Sequence, residues 1–158
     1  KQAENVRFRR YLAARRRSEE PFYVVAGEVE RRMDCTACAN CCRTGLVTVI
    51  PDEIAAIAAY LKMQPAEVER LYTQADPKVP EGRLLRTGPD GCVFLQGNLC
   101  MVYEARPRPC RDFPNVSYRA RSLGSRMSSL CRWVPFCPIV YNALEEYKKV
   151  TGFHPRRR

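Results

Sequence analysis

Histidine is almost missing: His154 is the only one in 158 residues. That leaves no material for a mixed cysteine–histidine metal site of several ligands, nor for a Ser–His or Cys–His nucleophilic pair in the body of the chain. His154 itself stands in HPRRR and reads as a tail residue rather than a ligand. Long apolar runs are missing too, and none approaches the ~18 residues that span a bilayer. The opening KQAENVRFRRYLAARRR is basic but is followed by no apolar core, so it is no secretory signal. The chain starts at Lys1 rather than Met, which leaves room for a removed targeting segment. No glycine-rich nucleotide loop, internal repeat or low-complexity stretch occurs. Lysine is scarce, 5 against 22 arginines.

Acid is scarce where the chain ends. Residues 1–34 carry nine Arg/Lys against six Asp/Glu, residues 35–100 six against seven, and residues 101–158 twelve against four. Most of the net charge of +10 therefore falls in the last third. An arginine-biased composition and an anionic partner such as RNA both produce this pattern, and Arg is the better bidentate phosphate ligand. The runs Arg15, Arg16, Arg17 and Arg156, Arg157, Arg158 lie near chain ends and are the candidate polyanion contacts.

What the chain has is cysteine. DCTACANCCRTG, residues 34–45, holds Cys35, Cys38, Cys41 and Cys42. Nine cysteines in all, an odd number with no secretory signal, argue against a simple disulfide framework. The two-residue spacing instead suits thiolates converging on a metal. It is the spacing of zinc knuckles and also the opening of an iron–sulfur run. Thiolates require a reducing compartment: cytoplasm, or the matrix of a mitochondrion or plastid.

The pattern predicts an α+β protein, a small irregular metal-stabilised domain with short strands, a cysteine-bearing hairpin and several helices. Residues 1–34 read as a basic helical arm, residues 35–137 as the metal-binding domain, and residues 138–158 as a C-terminal helix with a basic tail. A helix is expected over 4–17 with a thin apolar side of Val6, Tyr11 and Ala14. Residues 22–32 form a second helix or an extended approach to the cysteines. LVTVI (46–50) reads as a buried strand. An inserted helical pair over 52–73 follows, with Ile54, Ile57, Ala58 and Leu61 at helical spacing and Pro65 opening its second member. CVFL (92–95) and LCMVY (99–103) are expected to pair across QGN, placing Cys92 and Cys100 near the open ends of one hairpin. Three prolines make ARPRPCRDFP (105–114) a stiff loop presenting Cys110. Pro138 opens the last helix. Phe94, Tyr103, Phe113 and Trp133 read as core.

This ordered set resembles the CxxCxxCC cysteine-cluster (YkgJ-like) family of zinc- or iron-chelating domains. The likeness rests on C35-TA-C38-AN-C41-C42, PDEIAAIAAYL, GCVFL, the cysteine and tyrosine of LCMVY, RPRPCRDFP and Cys131, over about 35–137. It implies eight metal ligands: Cys35, Cys38, Cys41, Cys42, Cys92, Cys100, Cys110 and Cys131. Cys137 is a ninth candidate outside that core. The vicinal Cys41 and Cys42 are expected to point in different directions and to serve different sites or unequal roles. Two four-thiolate zinc sites, a thiolate-bridged cluster, and one iron–sulfur cluster with spare thiols all remain open. Arg106 and Arg111, within the family's RP…CR motif, are expected to offset thiolate charge; a substrate or phosphate is the other reading for them.

Three functions are compatible with this. The first is a structural subunit or assembly component of a larger complex, a ribonucleoprotein, held through its Arg-rich ends. The second is an iron–sulfur-dependent modifying enzyme of methyl-transfer type, against which the short chain and missing nucleotide loop weigh. The third is a metal carrier or redox sensor.

Overall fold

Proline opens three of the longer helices, at first-turn positions where the missing N–H has no intrahelical partner anyway. The computed structural model describes residues 1–15, 18–119 and 121–155. In chain order its elements are α1 (Gln2–Ala13), α2 (Glu20–Arg32), α3 (Cys35–Cys38), α4 (Asn40–Thr44), β1 (Thr48–Val49), α5 (Pro51–Leu61) and α6 (Pro65–Tyr72). There follow β2 (Thr73–Ala75), β3 (Arg83–Leu85), β4 (Thr87–Gly88), β5 (Gly91–Cys92), β6 (Leu95–Gln96) and β7 (Leu99–Cys100). A 3-10 turn at Tyr103–Ala105, α7 (Arg108–Asp112), α8 (Leu123–Trp133) and α9 (Pro138–Val150) complete the chain. Helices with several short antiparallel strands make this a small, irregular α+β protein.

The chain divides into two compact units, Lys1–Asp34 with Pro114–Arg158, and Cys35–Phe113. The first is helical. In it α2 packs on α9 and α1 on α8. Phe8, Phe22 and Tyr147 form its aromatic centre, with Phe22 and Phe8 both edge-on to Tyr147 at 5.3 and 5.8 Å. Each such pair adds ~1 kcal/mol beyond its burial. Leu123, Met127 and Leu130, at i, i+4 and i+7, turn the apolar side of α8 inward. Ser122 caps that helix by accepting from the Ser125 N–H at 3.3 Å. Glu19 and Glu30 bind the chain before and at its start, at the Leu123 and Val116 N–H groups.

The cysteine-rich unit has its own core of Val49, Ile54, Ile57, Ala58, Val68, Leu85, Phe94 and Val102. The sheet β1-β3-β2 lies against it, with Thr48 opposite Leu84 and Gln74 opposite Leu84 on the other side. Cys92 and Cys100 pack on the same core.

Several expectations change here. The first helix is shorter, and its inward side is Asn5 and Phe8, while Val6 is 41% exposed. The expected single hairpin is two tight ones in series. Cys92 pairs with Thr87 in β4–β5, and Cys100 pairs with Leu95 in β6–β7. The apolar run CVFL reads as one strand, yet the chain leaves one ladder and enters the next within it. Residues 108–112 are a helical turn rather than a loop. Pro107 and Pro109 fall at its N-cap and second position, where proline is tolerated, and the Cys110 N–H reaches the Pro107 carbonyl at 2.9 Å. Tyr103 is 40% exposed rather than core.

Candidate metal centre

No disulfide joins any of the nine cysteines. Seven lie in the Cys35–Phe113 unit; Cys131, on α8, and the buried Cys137, just before α9, belong to the helical unit. Five of the seven feel one another's charge: Cys41 and Cys42 from α4, Cys92 from β5, Cys100 from β7 and Cys110 from α7. They come from four separate stretches of chain, so the local structure of each stretch decides whether they meet.

Helices α3 and α4 are separated by Ala39, held at φ 50, which breaks the C-x2-C-x2-CC run into two helical turns. For a residue with a Cβ this left-handed conformation costs ~1 kcal/mol. Within α4 the sulfurs of Cys41 and Cys42 approach to 4.0 Å, so the vicinal pair converges rather than diverging. Four sulfurs at ~2.3 Å from a tetrahedral zinc stand ~3.8 Å apart, and the observed pair is close to that edge. Strand β5 reaches α4 only because residue 91 is glycine. A Cβ on Gly91, at φ 115, would lie 2.5 Å from the Arg43 Cα and 2.6 Å from the Cys42 carbonyl oxygen. Arg43 fastens α3 and α4 to the β6–β7 turn through the carbonyls of Cys38 and Gly97, each at 2.9 Å, and through the Asn98 Oδ1. Asn98 returns a bond to the Ala37 carbonyl at 3.2 Å. The Glu53 carboxylate accepts from the Ile50 N–H at 3.0 Å and from the Arg108 N–H at 2.8 Å, joining the start of α5 to the helix that bears Cys110.

The electrostatics of this nest suit a cation. Burial, then the charges of Cys92, Cys41 and Cys100, push the Cys110 thiol up to about 12. Cys92 is raised chiefly by burial. The hydrogen bond between the Cys41 and Cys42 sulfurs pushes Cys41 up and holds Cys42 below the ordinary thiol value. Arg106 pulls Cys110 downward against these larger upward influences. It is held by its stacking on the Tyr103 ring at 3.5 Å and its bond to the Tyr103 carbonyl at 2.8 Å. Arg111 is exposed on α7. Two thiols 4.0 Å apart do not ionise together without a compensating cation, and a divalent metal would supply that charge while displacing the protons. Among the described residues no group of three or more His, Cys, Asp or Glu is already arranged to hold an ion.

The profile of the CxxCxxCC family, described as "Putative zinc- or iron-chelating domain", matches residues 34–146. The chain belongs to the CxxCxxCC family. The matched stretch contains all nine cysteines of this CxxCxxCC chain and runs from the cysteine-rich unit into the helical one. Membership supports binding of zinc or iron by the protein. No solved structure matches it.

The remaining predicted residues are spread more widely. Cys35 is exposed and Cys38 half-buried, both on α3. Burial raises the Cys131 thiol, while Arg9 and Lys148 pull it down. Arg15 stacks on the Tyr11 ring at 3.9 Å. Arg16, Arg17, Arg156, Arg157 and Arg158 lie outside the described residues. Among the described residues no helix is long and apolar enough to cross a membrane. Gly91, Arg43 and Asn98 escaped the sequence reading as positioning residues. The one signal for them was GCVFL itself, whose glycine precedes a cysteine after a turn.

Proposed function

We propose that this protein holds zinc or iron through Cys41, Cys42, Cys92, Cys100 and Cys110, with Cys35, Cys38 and Cys131 as the family's further candidate ligands, and that the metal is structural. The observation that carries the reading is the 4.0 Å approach of the Cys41 and Cys42 sulfurs, with Cys92, Cys100 and Cys110 near enough to act on them electrostatically and no disulfide among the five. A closed thiolate site leaves no coordination position for substrate, and its binding energy becomes folding energy, on the order of 10 kcal/mol per structural zinc. The cysteine-rich unit has a modest core and ladders two or three residues long, so it depends on such a staple. Chelation of the anaerobically purified protein should unfold this unit. A metal-free protein with unchanged circular dichroism and melting would overturn the structural role.

We infer further that the protein is a component of a larger assembly, a ribonucleoprotein. The distribution of charge supports this. The cysteine-rich unit carries nine Arg/Lys and nine Asp/Glu, and the helical unit eighteen against eight, so the whole +10 resides in the helical unit. Co-purification of RNA with the tagged full chain, lost at high salt, tests it; a protein that retains partners only through salt-insensitive protein contacts would contradict the nucleic-acid part.

A further inference from the structure

A cleft of about 420 Å³ lies within the cysteine-rich unit, bounded by the starts of α5 and α6 and by the 76–82 connection from β2 to β3. That volume is in the range of small-ligand sites. Pro51, Pro65, Pro80 and Ile54 give it stiff apolar walls. Its charged groups are three carboxylates, Glu69, Asp76 and Glu81, against one guanidinium, Arg83. The Arg83 Nε stands 3.4 Å from the Glu69 Oε1 and donates to the Thr73 hydroxyl at 3.1 Å, so Asp76 and Glu81 are left in surplus.

Asp76 is only 9% exposed. The Thr48 hydroxyl donates to its Oδ2 at 2.6 Å and the Lys78 N–H to its Oδ1 at 2.8 Å, and these bonds hold the carboxyl below its ordinary value of 3.8. Both donors are neutral. Among the described residues no ion pair reaches Asp76 or Glu81. A carboxylate buried to this degree is ordinarily paired with a cation, and two hydrogen bonds leave part of its acceptor capacity unused. The two helix starts do not turn the cleft toward anions. Pro51 and Pro65 bring no N–H, and the Glu53 and Glu67 carboxylates already accept from the Ile50 and Gln64 N–H groups at 3.0 and 3.1 Å.

We propose that this cleft binds a primary alkylammonium group, with Asp76 and Glu81 receiving the ammonium and the proline-lined walls the methylene stem. A free polyamine and a lysine side chain of a partner protein both carry that chemistry. A long amine packs its stem on apolar surface while its head keeps polar company, which is what this lining offers. A bare divalent ion suits it less, because prolines line much of the cleft and the Arg83 guanidinium stands in it. The unit as a whole is charge-balanced, nine Arg/Lys against nine Asp/Glu, so its own net charge does not oppose a cation. The inference is independent of the metal and ribonucleoprotein readings.

The test is isothermal titration of the full-length, metal-loaded chain with cadaverine and with Nα-acetyl-lysine amide. Each is compared with its fully acetylated form, which keeps the stem and removes the charge. The charged probes should bind and the acetylated ones should not, and the tighter of the two charged probes names the source. Asp76→Asn should weaken binding about tenfold, and Glu81→Gln, at an exposed position, about threefold. Glu104→Gln, an exposed carboxylate outside the cleft, should bind as the parent does. Circular dichroism checks that each variant folds, and Glu81→Gln alone decides should Asp76→Asn fail to fold. The proposal is overturned if neither charged probe binds at millimolar concentration, if acetylation leaves binding unchanged, or if the folded cleft variants bind like the parent.

Discussion

Gly91→Ala is a one-methyl change that should dismantle the thiol nest. The new Cβ falls 2.5 Å from the Arg43 Cα and 2.6 Å from the Cys42 carbonyl oxygen, both backbone atoms of α4 that cannot rotate aside. The φ of 115 lies beyond the left-handed minimum that side chains tolerate, so conformational strain alone costs ~1–3 kcal/mol. Forcing β5 off α4 adds a cost of the overpacking kind, and the total is about 3–5 kcal/mol. Domains of this kind are stable by only ~5–15 kcal/mol. The shift also separates Cys92 from Cys41 and Cys42, so affinity for metal should fall together with stability. Gly97→Ala is the control. Its φ of 61 is also positive, but nothing lies within 4 Å of the added Cβ, and the cost should be ~1 kcal/mol with metal retained. Urea unfolding followed by circular dichroism, with metal content measured on the same samples, separates the two. If Gly91→Ala melted like Gly97→Ala and kept its metal, the contact between β5 and α4 would not be what assembles the site.

Cys137→Ala should keep the full metal content and lose about 1 kcal/mol of stability from a buried position; metal loss as complete as in Cys41→Ala would make it a ligand. Asn5 is 1% exposed, and among the described residues its Oδ1 and Nδ2 have no hydrogen-bond partner. Asn5→Leu should therefore raise stability by ~1–2 kcal/mol in a denaturant melt, and a clear loss would mean that the amide is satisfied in solution. The Lys148 ammonium, 2.7 Å from Glu4, holds that carboxyl below its ordinary value of 4.5. Because the folded pKa is the lower one, this contribution is present above pH 4.5 and is lost as the pH falls through and below it. Lys148→Met should flatten the acid limb of melting temperature against pH, and an unchanged limb would refute the linkage.

The parts of this fold that were legible are those written in local signals. Pro65 and Pro138 announced their helices, and Ile54, Ile57 and Ala58 are buried as their spacing requires. Helix α8 was not legible, because serine and glycine crowd LGSRMSSLCRW and hide the repeat of Leu123, Met127 and Leu130. The side of α1 was misread because a buried asparagine stands where polarity predicts solvent. Cys92 and Cys100 were placed in one hairpin because turns inside an apolar run leave no compositional mark. In the metal centre the cysteines were visible, but what brings them together was not. The close approach at Gly91, the three bonds of Arg43 and the double use of Glu53 are all tertiary, and spacing in sequence does not encode them.

The most direct test of the central claim is metal-edge X-ray absorption on the anaerobically purified full-length chain. A zinc centre built from the thiol nest predicts a first shell of sulfur alone at ~2.3 Å, and an iron–sulfur centre a sulfur shell with a metal neighbour beyond it. Exchange of Cys92 or Cys110 for serine should remove that shell. A first shell dominated by oxygen or nitrogen, or a sulfur shell that survives both substitutions, would contradict the assignment of these thiols as ligands.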